Sequence, residues 1–182
     1  MTKRTKKILG GITFVFLALQ FFQIDRSNPS VDTNQDYLSL SNPPQEIATL
    51  IRQSCYDCHS NTTVYPAYTR LQPVGAWVKH HVEEGREHLN FSTWGTYEPG
   101  RAAHKLEECA EVVQSAEMPM KSYTWMHAKA RLSAEQRSAL ATWFNSSYQQ
   151  AGSSNTTNSP KTQGGGREQE GSHEENEAHE NH

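Results

Sequence analysis

Residues 42–59 read NPPQEIATLIRQSCYDCH. Asn42, followed by two prolines, predicts a helix start, with Asn42 as the cap and proline where no amide partner is needed. Ile47, Leu50, Ile51, Cys55 and Cys58 then recur at helical spacing. Both thiols therefore fall near the inward face, at the end of an amphipathic helix. Working outward, Pro73 opens a second segment in which Val74, Trp77, Val78, His81 and Val82 share one stripe. Gly85 weakens that helix, which is expected to end near Leu89. Asn90 to Gly100 reads as turn, with Phe91 and Trp94 packing inward. A third helix is expected from Arg101 to Ser115, burying Ala103, Leu106, Ala110 and Val113, with Pro119 helping to end it. The last helix begins at Ser133, whose side chain caps it while Gln136 reaches back. Its buried stripe is Leu140, Trp143, Phe144 and Tyr148. No stretch alternates long enough to demand a strand, so the predicted fold is all-α.

The two ends of the 182-residue chain differ from this middle. Residues 8–24, ILGGITFVFLALQFFQI, are uncharged and mostly apolar, and Lys3, Arg4, Lys6 and Lys7 precede them. That is the layout of a signal sequence or signal anchor. As a helix these residues reach about 25 Å, near the lower limit for crossing a bilayer. The expectation is an uncleaved transmembrane anchor over residues 1–24, with a cleaved signal peptide or a buried helix as alternatives. Residues 25–41 are polar and turn-rich and read as a tether, and residues 42–149 as the domain. Residues 150–182 are Ser, Thr, Asn, Gly and Glu almost throughout, and read as a disordered acidic tail in which His173, His179 and His182 are solvated. What remains is one small domain, to which a large bound cofactor could contribute much of the core. No basic stripe interleaved with aromatics is present, which argues against nucleic acid as a partner.

The chain has three cysteines, too few for the disulfide framework of a small secreted domain. Two of them stand in Cys55-Tyr56-Asp57-Cys58-His59. One helical turn separates the thiols and a histidine follows at once. This is the spacing by which two cysteines form thioethers to haem vinyl groups while the histidine ligates iron. The expected cofactor is thus one covalent haem c, held by Cys55 and Cys58 with His59 on the metal. Competing readings are a thioredoxin-like redox pair, which ordinarily sits between a strand and a helix, and structural zinc, which needs a fourth ligand from His80, His81 or Cys109. A pair that only forms a disulfide is the third. For the sixth iron position the choice is Met118, in Glu117-Met118-Pro119-Met120, because a thioether favours reduced iron. Met120, His80, His81, His88, His104, Met126 or an open position are the alternatives, and either methionine could instead be core filling. Arg70 is a candidate propionate partner, and Cys109 reads as a buried thiol. No catalytic residue stands out.

The motif, the Met118-Pro119 loop and the final Leu132-Ser133-Ala134-Glu135-Gln136-Arg137 helix together resemble class I cytochromes c. More closely, the chain resembles the haem-binding domain family of bacterial membrane-anchored cytochromes. The matching stretches are Cys55 to Thr63, His81-Val82-Glu83-Glu84-Gly85-Arg86 with His88-Leu89-Asn90-Phe91, Glu117-Met118-Pro119, and Tyr123-Thr124-Trp125-Met126-His127. The resemblance covers roughly Pro43 to Phe144. It implies a small cytochrome c-like helical domain with haem attachment at Cys55 and Cys58, His59 as proximal ligand and Met118 as distal ligand. Class I cytochromes orient the motif histidine with a glycine-proline loop; here Pro66 and Pro73 are the prolines that follow, and that contact is unassigned. The function expected is one-electron transfer. A haem peroxidase-like or sensor module with an open or displaceable sixth ligand is the alternative. With the anchor, the basic N-terminus implies a single pass through a bacterial inner membrane, the domain facing the periplasm and a membrane respiratory component as redox partner.

Overall fold

The computed structural model describes residues 2–156, with side chains to residue 149. In order, the helices are α1 (Lys3–Leu19), α2 (Tyr37–Ser41), α3 (Gln45–Ser54), α4 (Tyr56–His59), α5 (Val74–His88), α6 (Pro99–Gln114), α7 (Lys121–Met126) and α8 (Ala134–Thr156). Short 3₁₀ turns lie at Ala67–Arg70, Phe91–Thr96 and Ala128–Ala130, and no strand occurs among the described residues. The all-α expectation is met. Most of the tail, with His173, His179 and His182, lies outside the described residues.

Helices α6 and α8 pack along one another more extensively than any other pair. Leu106, Cys109, Ala110 and Val113 of α6 meet Leu140, Ala141 and Phe144 of α8 in the core. Ile47, Leu50 and Ile51 of α3 complete that core, as their helical spacing predicts. The start of α8 is a reciprocal cap. Ser133 Oγ accepts from the Gln136 amide at 3.2 Å, and Gln136 Oε1 accepts from the Ser133 amide at 2.9 Å. Asn42 does not cap α3. It closes α2 in the left-handed region, φ 43°, its amide donating to Leu38 at 3.2 Å, and α3 begins only after the two prolines. Within the stretch read as a tether, Tyr37 and Leu38 are buried. Tyr37 packs on Phe91 (5.2 Å between centroids) and edge-on to Trp94 (4.8 Å), and its hydroxyl accepts from Trp143 Nε1 at 2.9 Å.

The expected transmembrane anchor is overturned, because no helix among the described residues is long and apolar enough to cross a membrane. Helix α1 has 17 residues, but it starts at Lys3 and spends its first turns on Lys3, Arg4, Lys6 and Lys7. The uncharged part that remains helical, Ile8 to Leu19, reaches about 18 Å against a hydrocarbon core of about 30 Å. The helix stops where two glutamines turn back onto the domain. Gln20 Nε2 donates to the Gln72 carbonyl at 3.0 Å and its Oε1 accepts from the Gln72 amide at 3.0 Å. Gln23 Nε2 donates to the Arg70 carbonyl at 3.2 Å. Gln20 and Gln23 thus serve as docking contacts rather than as the far end of a span. The single-pass inner-membrane placement, membrane contact through the anchor and the respiratory partner inferred from it lose their basis together.

Candidate functional site

Helix α3 ends at Ser54. Cys55 leaves the helical region (φ −124°), and α4 makes one turn that carries Cys58 and His59. The Cys55 carbonyl accepts from the amides of Cys58 (3.2 Å) and His59 (2.9 Å), which ties the motif into a closed turn. Tyr56 anchors that turn in the core. Its ring stacks on Phe91 at 5.5 Å and its hydroxyl donates to Asp36 at 2.9 Å. Cys55 and Cys58 are both free and partly buried. Burial, with Cys58 nearby, pushes the Cys55 thiol up to about 12; burial, with Asp57 nearby, pushes Cys58 up to about 11.

His59 Nδ1 lies 2.8 Å from the Gly85 carbonyl oxygen and 3.1 Å from that of Leu89. Carbonyl oxygens only accept, so the ring proton belongs on Nδ1 and Nε2 keeps its lone pair. Burial also pushes the imidazole pKa down, favouring the neutral ligand form. This contact exists because Gly85 has no side chain. A Cβ there would stand 2.8 Å from the Cys58 carbonyl oxygen and 3.2 Å from Cys58 Cβ. Gly85 therefore lets α5 touch the motif turn, where sequence reasoning saw only a weakened helix. Neither Pro66 nor Pro73 makes the His59 contact; two backbone carbonyls of the α5 C-terminus do.

A crevice in three lobes surrounds this turn. A lobe of about 530 Å³ is lined by Cys55, His59, Cys109 and Met118 among others, and one of about 240 Å³ by Cys58, His59, Met118 and Met120. A third, of about 410 Å³, runs on from Cys58 and Met120 to Trp77, His81, Trp125 and Met126. The α5 stripe predicted as core accordingly faces the crevice in part: Val82 is buried, whereas Val74 and Trp77 are 42% and 50% exposed. Ser54 Oγ is buried at the wall of both inner lobes and has no hydrogen-bond partner among the described residues. Two thiols, an imidazole nitrogen with a free lone pair, a thioether, an apolar crevice and an orphaned hydroxyl fit an iron porphyrin. Zinc fits poorly, since no group of three or more His, Cys, Asp or Glu able to hold a metal ion occurs among the described residues.

Met118 shares both inner lobes with His59, and Met120 shares one. The Met118 backbone is held on both sides. Its amide donates to the Val112 carbonyl at 2.9 Å, and its carbonyl accepts from Arg137 Nη1 at 2.9 Å. His88 also lines both inner lobes, but it rides on α5, the helix behind His59. His80 and His104 are exposed and face glutamates at 3.5 Å (Glu84) and 3.3 Å (Glu108). His81 Nδ1 donates to the Trp77 carbonyl at 2.9 Å, and Met126 is 54% exposed on the outer lobe. Arg70 is exposed and does not line the crevice. Cys109 is a buried thiol, as expected, at the wall of the largest lobe.

Three features were not found from sequence: the carbonyls behind His59, the Arg137 bond and a latch between α7 and the motif turn. In that latch Tyr123 on α7 donates to Asp57 Oδ2 at 2.7 Å, and its ring stacks on His127 at 4.1 Å. Burial and the Asp57 bond raise the Tyr123 pKa. A glycine inside an otherwise sound helix was the one available signal of close approach.

The profile of a family described as "Haem-binding domain" matches residues 14–146, well over half of the chain. No curated protein and no solved structure matches it.

Proposed function

The chain belongs to the haem-binding domain family, and from that premise we propose that it binds one haem covalently through Cys55 and Cys58, would hold the iron through His59 and Met118, and serves as a one-electron carrier. The observation that carries this reading is the orientation of His59. Its Nδ1 proton is spent on Gly85 and Leu89, which leaves Nε2 to a crevice that Met118 also lines. A haem held there would supply a single reversible electron at its iron. The Gly85 and Leu89 carbonyls fix the tautomer of His59 and raise its basicity as a ligand. Met118 offers a soft thioether, which favours the reduced state. The thiols of Cys55 and Cys58 are held as thiols far above neutral pH, which disfavours a thioredoxin-like couple. The close fixing of Met118 on both sides favours a carrier over a module with a vacant sixth position.

The test is maturation of the full chain with a cytochrome c assembly system, followed by acid–acetone extraction, intact mass and visible spectra. The expected product keeps one porphyrin after extraction, and Cys55→Ala with Cys58→Ala loses it. The oxidised protein should be low-spin, with a weak long-wavelength methionine-to-iron charge-transfer band that Met118→Ala abolishes and Met120→Ala spares. Colour removed by extraction would sink covalent attachment. A band that survives Met118→Ala would sink the distal assignment.

A further inference from the structure

The polypeptide from Ser115 to Met120 carries Met118 between α6 and α7. What holds it there comes from a third helix. Arg137, in the first turn of α8, sends Nη1 to two carbonyl oxygens at once, Val113 at 2.7 Å and Met118 at 2.9 Å. Arg137 is partly buried and makes no ion pair among the described residues. Its charge is thus free to serve the carbonyls. Val113 lies in the last turn of α6, its carbonyl also accepting from the Ala116 amide at 3.2 Å, and a cation at that end is favoured by the helix dipole. One guanidinium therefore fastens the end of α6 to the peptide of the sulfur donor.

We propose that Arg137 is a positioning residue for the distal ligand, holding Met118 toward the iron by clamping the Met118 carbonyl to the C-terminus of α6. The inference rests on the reading of Met118 as an iron ligand. Arg137 lines none of the three lobes. It acts by lowering the freedom of the backbone that presents the thioether, so its loss makes Met118 easier to displace. Because the Met118 amide still donates to Val112, the ligand is loosened rather than lost.

The experiment is an imidazole titration of the oxidised, haem-loaded full chain, following displacement of Met118 in the visible spectrum, with the reduction potential measured alongside. Arg137→Gln should bind imidazole about tenfold more tightly, the size expected for one lost charge-assisted hydrogen bond. Its charge-transfer band should weaken and its potential fall. Arg137→Lys keeps the charge but has one donor group on a shorter stem, so its imidazole affinity should rise about threefold. If Arg137→Gln does not fold, the lysine variant decides alone: a rise of that size supports the clamp, and an unchanged affinity overturns it. Arginine variants that melt earlier yet bind imidazole like the unaltered protein make Arg137 a purely structural residue and overturn the proposal. Met118→Ala in the same titration separates the two ideas. If it too leaves the band and the imidazole affinity unchanged, the ligand assignment is what fails.

Discussion

The two walls of the crevice are built on different principles. On the His59 side, the ring is aimed by backbone carbonyls of α5, brought into reach by the bare Cα of Gly85. On the Met118 side, a short irregular segment is held by one amide and by the guanidinium of Arg137. A wall fastened by helix backbone resists side-chain substitution except at its point of contact. A wall fastened by one amide and one side chain can be loosened one bond at a time. The motif side should thus behave as a rigid mount and the methionine side as the adjustable one.

The sharpest way to break the first wall is Gly85→Ala. Helix propensity alone would make alanine better by about 1 kcal/mol, but the added carbon would lie 2.8 Å from the Cys58 carbonyl oxygen. Overpacking against backbone costs about 1–3 kcal/mol, so the clash is expected to win. Denaturant unfolding of the haem-loaded chain should show a net loss of up to about 2 kcal/mol. An alanine variant as stable as the unaltered chain, with an unchanged spectrum, would show that the close contact is not needed.

A smaller effect is expected where the walls meet. Tyr123→Phe removes the 2.7 Å bond to Asp57 and should cost about 1 kcal/mol at neutral pH. The sign with pH follows from the raised phenol pKa. A group whose folded pKa lies above its unfolded value of 10.0 contributes fully below that pH and progressively less above it. The stability gap between the unaltered chain and the Tyr123→Phe variant should therefore be constant up to about pH 10 and narrow beyond it. A gap that widens with alkalinity would contradict the latch.

The smallest effect should sharpen the methionine wall. Ala116 sits at φ 65°, just past the end of α6 and two residues before Met118. A left-handed alanine costs about 1–2 kcal/mol, while glycine adds about 0.4–1 kcal/mol of unfolded-state entropy. Ala116→Gly should then stabilise by about 0.5–1 kcal/mol, read as a raised midpoint in urea. If it instead destabilises, the positive φ is not a strained feature of this loop.

Much of this could be read directly. The capping box at Ser133 and Gln136 and the core positions Leu106, Ala110, Val113, Leu140 and Phe144 stand where helical spacing puts them. These depend on neighbours within a turn or on one face of one helix, which periodicity reports. Trp77 and Val74 obey the same periodicity yet line a crevice, since an apolar stripe does not say whether a helix or a cofactor will cover it. The N-terminal run failed for a related reason. Hydropathy measured its apolar content, while Gln20 and Gln23 ended the helix by reaching partners about fifty residues away.

By itself, then, the sequence determined an all-α chain with a Cys-x-x-Cys-His turn following an amphipathic helix, because thiol and imidazole spacing and hydrophobic period are properties of the local chain. Tertiary structure alone decided which atoms orient His59, what clamps Met118 and where α1 stops. Each of those depends on a backbone carbonyl or a polar side chain from a distant segment arriving within hydrogen-bond distance. Such meetings leave no period in the chain, only isolated residues such as Gly85 and Arg137 whose purpose appears once the helices are packed.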